Sequence, residues 1–273
     1  MLINVKGNLI DLSKPKIMGI LNITPDSFYE GSRFTDLSKV LIEAEKMLLA
    51  GATLLDIGGH STRPGATPVS EEEELRRVLP VVEGIIYNFP EALISIDTFR
   101  TTVASECVKA GAVMVNDVSG GDFDDKMFET VVSLNVPYVL MHSRGTPETM
   151  TQLTDYQDLV TDVVDELEKK IYRLRQLGQK DIIIDLGFGF AKTADQNYVL
   201  LNHLEDFRLL DCPMLIGVSR KSMIWRKLNI SPNDSLNGTT VLNTVALMKG
   251  ANILRVHDVK EAIEAVILLS YMN

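Results

Sequence analysis

The chain of 273 residues carries 27 Lys and Arg against 37 Asp and Glu, a formal net charge of −10, and is 45% hydrophobic and 23% charged. That composition is ordinary for a globular protein with a substantial core, and the length suits a single α/β barrel of roughly 250 residues. The acid excess argues against a nucleic-acid binder, which needs a basic face. It leaves room for an anionic small molecule where a few cationic side chains converge. Cys107 and Cys212 make neither a disulfide framework nor a zinc pattern. The N-terminus shows no signal peptide, and no apolar run approaches the ~18 residues of a membrane span. A cytoplasmic protein is expected.

Leu2 to Leu12 reads as a hairpin turning at Lys6-Gly7, expected to plug the barrel floor. Short apolar runs then alternate with helical patterns. Strands are expected at residues 17–21, 53–57, 93–96, 113–115, 137–141, 182–184, 214–218 and 253–256. They are apolar on both sides, as strands of a buried parallel sheet are. Ser70-Glu71-Glu72-Glu73 fits a capping box, Thr154-x-x-Gln157 fits a second, and Asp258-x-x-Glu261 opens the last helix. Pro80 is expected to kink the second helix. Eight strand–helix units in one domain predict an α/β fold, a single (β/α)8 TIM barrel with a short N-terminal β-hairpin (1–14) ahead of the barrel (15–273); an open doubly wound sheet is the competitor.

What ends each strand is informative. Asn22 follows the first, Asp56 lies in the second and Asp97 closes the third; Asn116 and Asp117 follow the fourth, His142 the fifth and Asp185 the sixth. Ser219, Arg220 and Lys221 follow the seventh, and Arg255 and His257 sit at the eighth. An active site at the carboxyl ends of barrel strands would bring all of them to one mouth. Asp117 or Ser219 alone could as well be a helix cap. Lys and Arg cannot, so the ring as a whole reads as a site.

Two connections, residues 22–35 and 58–70, exceed the 2–6 residues typical of a βα loop and read as lids carrying Phe28 and Arg63. A third segment, Gly187-Phe188-Gly189-Phe190-Ala191-Lys192, sets flexible backbone and aromatic faces beside Asp185. It lacks the third glycine of a dinucleotide fingerprint, and Gly217-x-Ser219-x-Lys221 fails as a nucleophile elbow. No feature supports a covalent mechanism. Carboxylates, an amide and a lysine together suit a flat heterocycle with adjacent N–H donors and a carbonyl. Asn22, Arg63, Arg255 and His257 form a separate set suited to phosphate oxygens.

The sequence resembles the dihydropteroate synthases of folate biosynthesis. The resemblance rests on Gly19-Ile20-Leu21-Asn22-Ile23-Thr24-Pro25-Asp26-Ser27-Phe28, on Asp56-Ile57-Gly58-Gly59-His60-Ser61-Thr62-Arg63-Pro64-Gly65, and on Ser95-Ile96-Asp97-Thr98. It continues through Val115-Asn116-Asp117-Val118, Ile184-Asp185-Leu186-Gly187-Phe188-Gly189-Phe190, Gly217-Val218-Ser219-Arg220-Lys221-Ser222 and Arg255-Val256-His257-Asp258. It implies condensation of 6-hydroxymethyl-7,8-dihydropterin diphosphate with 4-aminobenzoate, giving dihydropteroate and diphosphate. Carried over by match, Asp97, Asn116, Asp185 and Lys221 would bind the pterin. Asn22, Arg63, Arg255 and His257 would hold the diphosphate, with Asn22 a ligand of Mg2+. Phe28, Thr62, Pro64, Phe190 and Ser222 would shape the aminobenzoate slot, where sulfonamides act in this family. Catalysis would fall to Asp97, Lys221, Arg63 and Asn22, and the family implies a homodimer.

The chain departs from the family pattern at Leu186, commonly proline, at Ala191, often glycine, and at His60, often glutamate. Met141-His142-Ser143-Arg144-Gly145 also varies, and His142 receives no role. Two rivals are a methyltetrahydrofolate:corrinoid methyltransferase and a non-catalytic pterin-binding paralogue. A methyl donor needs no diphosphate clamp, and a paralogue need not keep Arg63 and Lys221.

Overall fold

The computed structural model describes residues 1–23, 33–60 and 69–272. Phe28, Thr62, Arg63 and Pro64, and the greater part of both expected lids, lie outside the described residues. Strands β1 (Leu2–Val5) and β2 (Asn8–Asp11) pair antiparallel as the hairpin. The remaining strands are β3 (Lys16–Asn22), β4 (Leu54–Gly58), β5 (Leu93–Asp97), β6 (Met114–Asp117), β7 (Tyr138–Met141), β8 (Ile182–Asp185), β9 (Met214–Ile216) and β10 (Ile253–Val256). They close a parallel barrel in the order β10-β3-β4-β5-β6-β7-β8-β9. The described helices are α1 (Arg33–Leu49), α2 (Glu71–Asn88), α3 (Thr101–Ala110), α4 (Met127–Leu134), α5 (Leu159–Leu177), α6 (Ala194–Asn202), α7 (Ser222–Leu228), α8 (Leu236–Met248) and α9 (Val259–Ser270).

Two apolar clusters follow from the period-2 alternation of a strand. Ile17, Leu55, Ile57, Ile94, Ile96, Ile184, Ile216 and Leu254 pack with the helices in the outer cluster. Met18, Leu54, Met114, Val139, Ile183, Leu215 and Ile253 fill the lower barrel interior, together with Ile3, Val5 and Leu12 from the hairpin segment. The hairpin therefore closes the floor. It is tied there by Asn252, whose Nδ2 donates to the Leu12 carbonyl at 2.9 Å, and by Lys6, whose Nζ donates to the Gly111 carbonyl at 2.7 Å.

Helix starts partly differ from expectation. Ser70 caps α2, accepting from the Glu73 N–H at 3.2 Å, but the Glu73 carboxylate turns to Arg76 and Arg77 and does not close the box. The helix runs without interruption through Pro80. The Thr154 capping box does not form. Helix α5 begins at Leu159 behind Asp158, which accepts from the Thr161 N–H at 2.9 Å. The carboxylate adjoining the apolar stripe outcompetes the more distant hydroxyl. Asp258 stands before α9 without capping it, because a bidentate pair with Arg220 at 3.0 and 2.5 Å takes its carboxylate. A charge-assisted pair is stronger than a bond to a neutral N–H.

Candidate active site

The alternation that builds the floor also builds the mouth. Inward positions read Leu54-Asp56 on β4, Met114-Asn116 on β6, Ile183-Asp185 on β8 and Ile253-Arg255 on β10, an apolar residue below and a polar one above. Register places Asp97 beside Asn116 and Asp56 beside Ser95. Asp117 alternates the other way. Its buried carboxylate accepts from Tyr138 Oη at 2.7 Å, from Ser119 N and Oγ at 2.8 and 2.7 Å, and from Gly121 N at 2.9 Å. Asp117 is a structural anchor of the β6 loop, separated from Asn116 by the pleat alone.

At the centre, Asp56 Oδ2 accepts from Asn116 Nδ2 at 3.0 Å and from Arg255 Nε at 2.6 Å, while Arg255 Nη2 donates to Asp97 Oδ2 at 2.7 Å. Asp56, noted from the sequence as a charge inside an apolar strand but given no role, joins the amide to the guanidinium. Burial pushes the Asp97 carboxyl up to about 6, the Asp56 charge adds to this, and Arg255 opposes it. Burial works to strip charge from Arg255 and is overcome by Asp56 and Asp97, so its pKa rises. Asp56 Oδ1, Asp97 Oδ1 and Ser95 Oγ are buried and have no hydrogen-bond partner among the described residues. Buried polar atoms of native proteins are as a rule hydrogen-bonded. The three atoms are able to face the N–H groups of a bound ring.

The other candidates stand around this centre. Asn22 ends β3 opposite Gly58. Asp185, raised by burial against the pull of Lys221, accepts from the Gly187 N–H at 2.8 Å. Lys221 precedes α7; its Nζ donates to the Phe188 carbonyl at 2.5 Å and lies 5.1 Å from the centroid of the Phe190 ring. Burial lowers Lys221 to about 8, Asp185 opposing. Ser222 is the first residue of α7. His257 Nδ1 is 3.0 Å from Ser219 Oγ, which also accepts from the His257 N–H. Arg255, assigned to the diphosphate by resemblance, has two donors committed to Asp56 and Asp97 and would meet an anion only with the remainder.

His60 answers its departure from the family pattern with local partners. Its Nδ1 lies 3.5 Å from the buried Glu74 Oε1, its ring edge meets Phe99, and Arg100 reaches the other Glu74 oxygen at 2.6 Å. Burial alone would lower the imidazole; Glu74 and Asp97 more than offset it and raise its pKa. A second polar cluster joins the buried His142 and Lys192 to the half-buried Glu166 behind the β8 turn, so His142, expected in the ring of strand ends at the mouth, is taken up there instead. These residues are too scattered in sequence to announce one another.

A closed parallel barrel with paired carboxylates, an amide and cations at its carboxyl mouth defines an enzyme that grips a polar ring. Residues 18–257 match the pterin binding enzyme family, and the chain belongs to it. Among its relatives within that family are dihydropteroate synthases. The enzyme of Escherichia coli strain K12 is 44% identical over 262 residues, covering 95% of this chain and 92% of its own length. That of Bacillus subtilis strain 168 is 44% identical over 250 residues, covering 91% and 85%. Among solved structures, Yersinia pestis dihydropteroate synthase in complex with a sulfonamide drug superposes with a TM-score of 0.93 at 42% identity, covering 100% of this chain and 99% of that one. The Xanthomonas albilineans enzyme in complex with 7,8-dihydropteroate gives a TM-score of 0.89 at 34% identity, covering 100% and 98%.

Proposed function

We propose that this chain is a dihydropteroate synthase, condensing 6-hydroxymethyl-7,8-dihydropterin diphosphate with 4-aminobenzoate to give 7,8-dihydropteroate and diphosphate. The observation that carries the reading is the convergence of Asp97, Asn116, Asp185 and Lys221 on one mouth, in a chain 44% identical to enzymes of that name. The pterin ring enters the polar layer, Asp185 accepts from its amino and N3–H edge, and the Lys221 ammonium donates to its O4 and N5 edge. The bond from the pterin methylene to the diphosphate oxygen breaks with its electron pair leaving on diphosphate. The resulting cation delocalises into the ring, and the Asp97 carboxylate stabilises it. The arylamine nitrogen, oriented against Phe190 and Ser222, attacks the methylene and then releases one proton to water. Positioning does the work of a nucleophile.

Arg63, Asn22, His257 and the free donors of Arg255 would hold the diphosphate. Mg2+ belongs to this reading. Among the described residues no three His, Cys, Asp or Glu gather around a common point, and the oxygen donor assigned at the mouth is the Asn22 amide. That donor set suits an ion that arrives with the diphosphate and keeps most of its waters. Asn22 would hold it, and bound there it would neutralise charge on the leaving oxygens. A homodimer is also part of the reading, supported by exposed apolar side chains on α8 and α9, among them Val241, Met248, Ile267 and Leu268. So is a cytoplasmic setting, with Cys107 and Cys212 both buried free thiols. No helix among the described residues is long and apolar enough to cross a membrane.

Purified protein with Mg2+ and both substrates should form dihydropteroate and release diphosphate only when 4-aminobenzoate is supplied. Diphosphate release independent of the arylamine, or no turnover, would overturn the proposal.

A further inference from the structure

Lys192 is a buried cation with no part in the reaction described above. Its Nζ meets three partners: His142 Nδ1 at 2.9 Å, the Phe190 carbonyl at 3.0 Å and the Gly187 carbonyl at 3.2 Å. Behind it, His142 Nε2 lies 3.0 Å from Glu166 Oε2 on α5, and Glu166 also takes Arg144 Nη2 at 2.5 Å. Arg144 lies 3.9 Å above the Tyr156 ring, and the Tyr156 hydroxyl donates to the Ala191 carbonyl at 2.9 Å. Contacts thus run unbroken from α5, across the end of β7, to the turn 187–191.

That turn is hard to hold. Gly187 and Gly189 have φ of +65° and +81°, and Ala191 sits at +48° with a Cβ. A Cβ on Gly187 would lie 1.9 Å from the His142 carbonyl oxygen, so the turn presses directly on the end of β7. Left-handed residues persist where surrounding bonds over-determine them. Lys192 supplies two of those bonds, to the carbonyls that bracket Phe188 and Phe190. The same turn faces the mouth twice, since the Phe188 carbonyl accepts from Lys221 and the Phe190 ring lies beside that ammonium.

Burying an ammonium away from a directly bonded carboxylate is costly. Burial brings Lys192 down to about 7 and His142 down to about 4, so the imidazole stays neutral. With Glu166 accepting at Nε2, the neutral ring presents Nδ1 as an acceptor to Lys192. The cluster is internally matched, and its output is directed at the turn.

We propose that Lys192 is a positioning residue for the arylamine step, setting the Phe190 ring through the Gly187 and Phe190 carbonyls, with His142 and Glu166 fixing Lys192 from behind. This rests on the reaction read above, and the test separates the two. An inactive wild-type protein overturns the reaction; an active one whose variants fail the cycle overturns only the role of Lys192. In a double-mutant cycle on the KM for 4-aminobenzoate, Lys192→Met should raise KM about tenfold with kcat within about threefold, and Phe190→Ala should raise it by a similar factor. Combined, they should exceed Phe190→Ala alone by no more than about threefold, because the ring that Lys192 positions is already gone. Lys192→Gln, shorter but still a donor, should give a smaller rise with the same coupling, and carries the test if Lys192→Met does not fold. Unchanged KM, effects that multiply independently, or a kcat loss tracking Tm at constant KM would overturn the assignment.

Discussion

Arg255 and Asp97, 158 positions apart in sequence, pair across the barrel mouth at 2.7 Å and join β10 and β5, which are not neighbours in the sheet. The pair is a brace across the opening as well as part of the site. With Asp56 on the same guanidinium, it balances two buried carboxylates against one cation. Arg255→Met removes that cation and leaves both carboxylates uncompensated. A loss of about 3–5 kcal/mol is expected, the usual range for one partner removed from a buried pair. Urea unfolding of the two proteins at pH 7 measures it, and a change under 1 kcal/mol would show that the carboxylates escape by taking up a proton.

Asp97 titrates in an unusual range because burial holds its carboxyl at about 6, against an ordinary 3.8. The native state then holds this proton more tightly than the unfolded chain does. The associated stabilisation is fully present below the ordinary carboxylate range and is lost as pH rises through about 6. Asp97→Asn, which cannot ionise, should therefore gain in stability relative to wild type between about pH 4 and pH 7, by thermal melts at each pH. If the ionised form supports the pterin cation, wild-type turnover should rise through the same interval, and the asparagine variant should lose most activity.

Lys221 holds the Phe188 carbonyl with an ammonium that burial brings to about 8. Its folded-state pKa lies below the usual lysine value of 10.5, so keeping the charge opposes folding in full below about 8, and the cost shrinks as pH rises from there to the usual lysine value. Lys221→Ala removes that cost together with the bond to the Phe188 carbonyl, so the two offset and Tm at pH 7 should shift little, while pterin binding should weaken by about a hundredfold, the scale of one lost charge-assisted bond. Calorimetric titration with a pterin across pH 7 to 9 should show wild-type affinity falling as the ammonium deprotonates, with a flat profile in the variant. Equal affinities would remove Lys221 from the pterin site.

Tyr138 and Asp117 offer the opposite case. Their 2.7 Å bond is fully buried and lies on the helix side of the sheet. Tyr138→Phe should cost about 1–3 kcal/mol, as a buried acceptor loses one partner, with kcat and KM unchanged. A change in either kinetic constant would place Asp117 in the chemistry.

Much of the barrel was legible because its strands are short, apolar and bounded by polar residues. Residues 253–256 coincide with β10, and elsewhere the edges move by one or two residues. The expected strand at 214–218 stops at Ile216, ahead of the left-handed turn at Arg220. That Asp97, Asn116, Asp185 and Arg255 share a mouth follows from strand parity. The partnerships within the mouth do not. Nothing in local spacing says that Arg255 spans Asp56 and Asp97, or that Asp258 forgoes its helix for Arg220. The His142–Lys192 bond crosses 50 residues, and neither side chain carries a local pattern that names the other. Caps are equally contextual: Thr154 had the right neighbours, and Asp158 had the right position.

Among the described residues, a barrel stoppered by Ile3, Val5 and Leu12 is closed at its floor and opens at the carboxyl ends of its strands. Traffic through it is single file: whatever occupies the deepest berth must arrive first and depart last, and a second guest arriving early would bar its way. Were the proposed pterin and arylamine to lie one above the other along that axis, sequential entry would follow from the architecture, independent of how tightly either one binds.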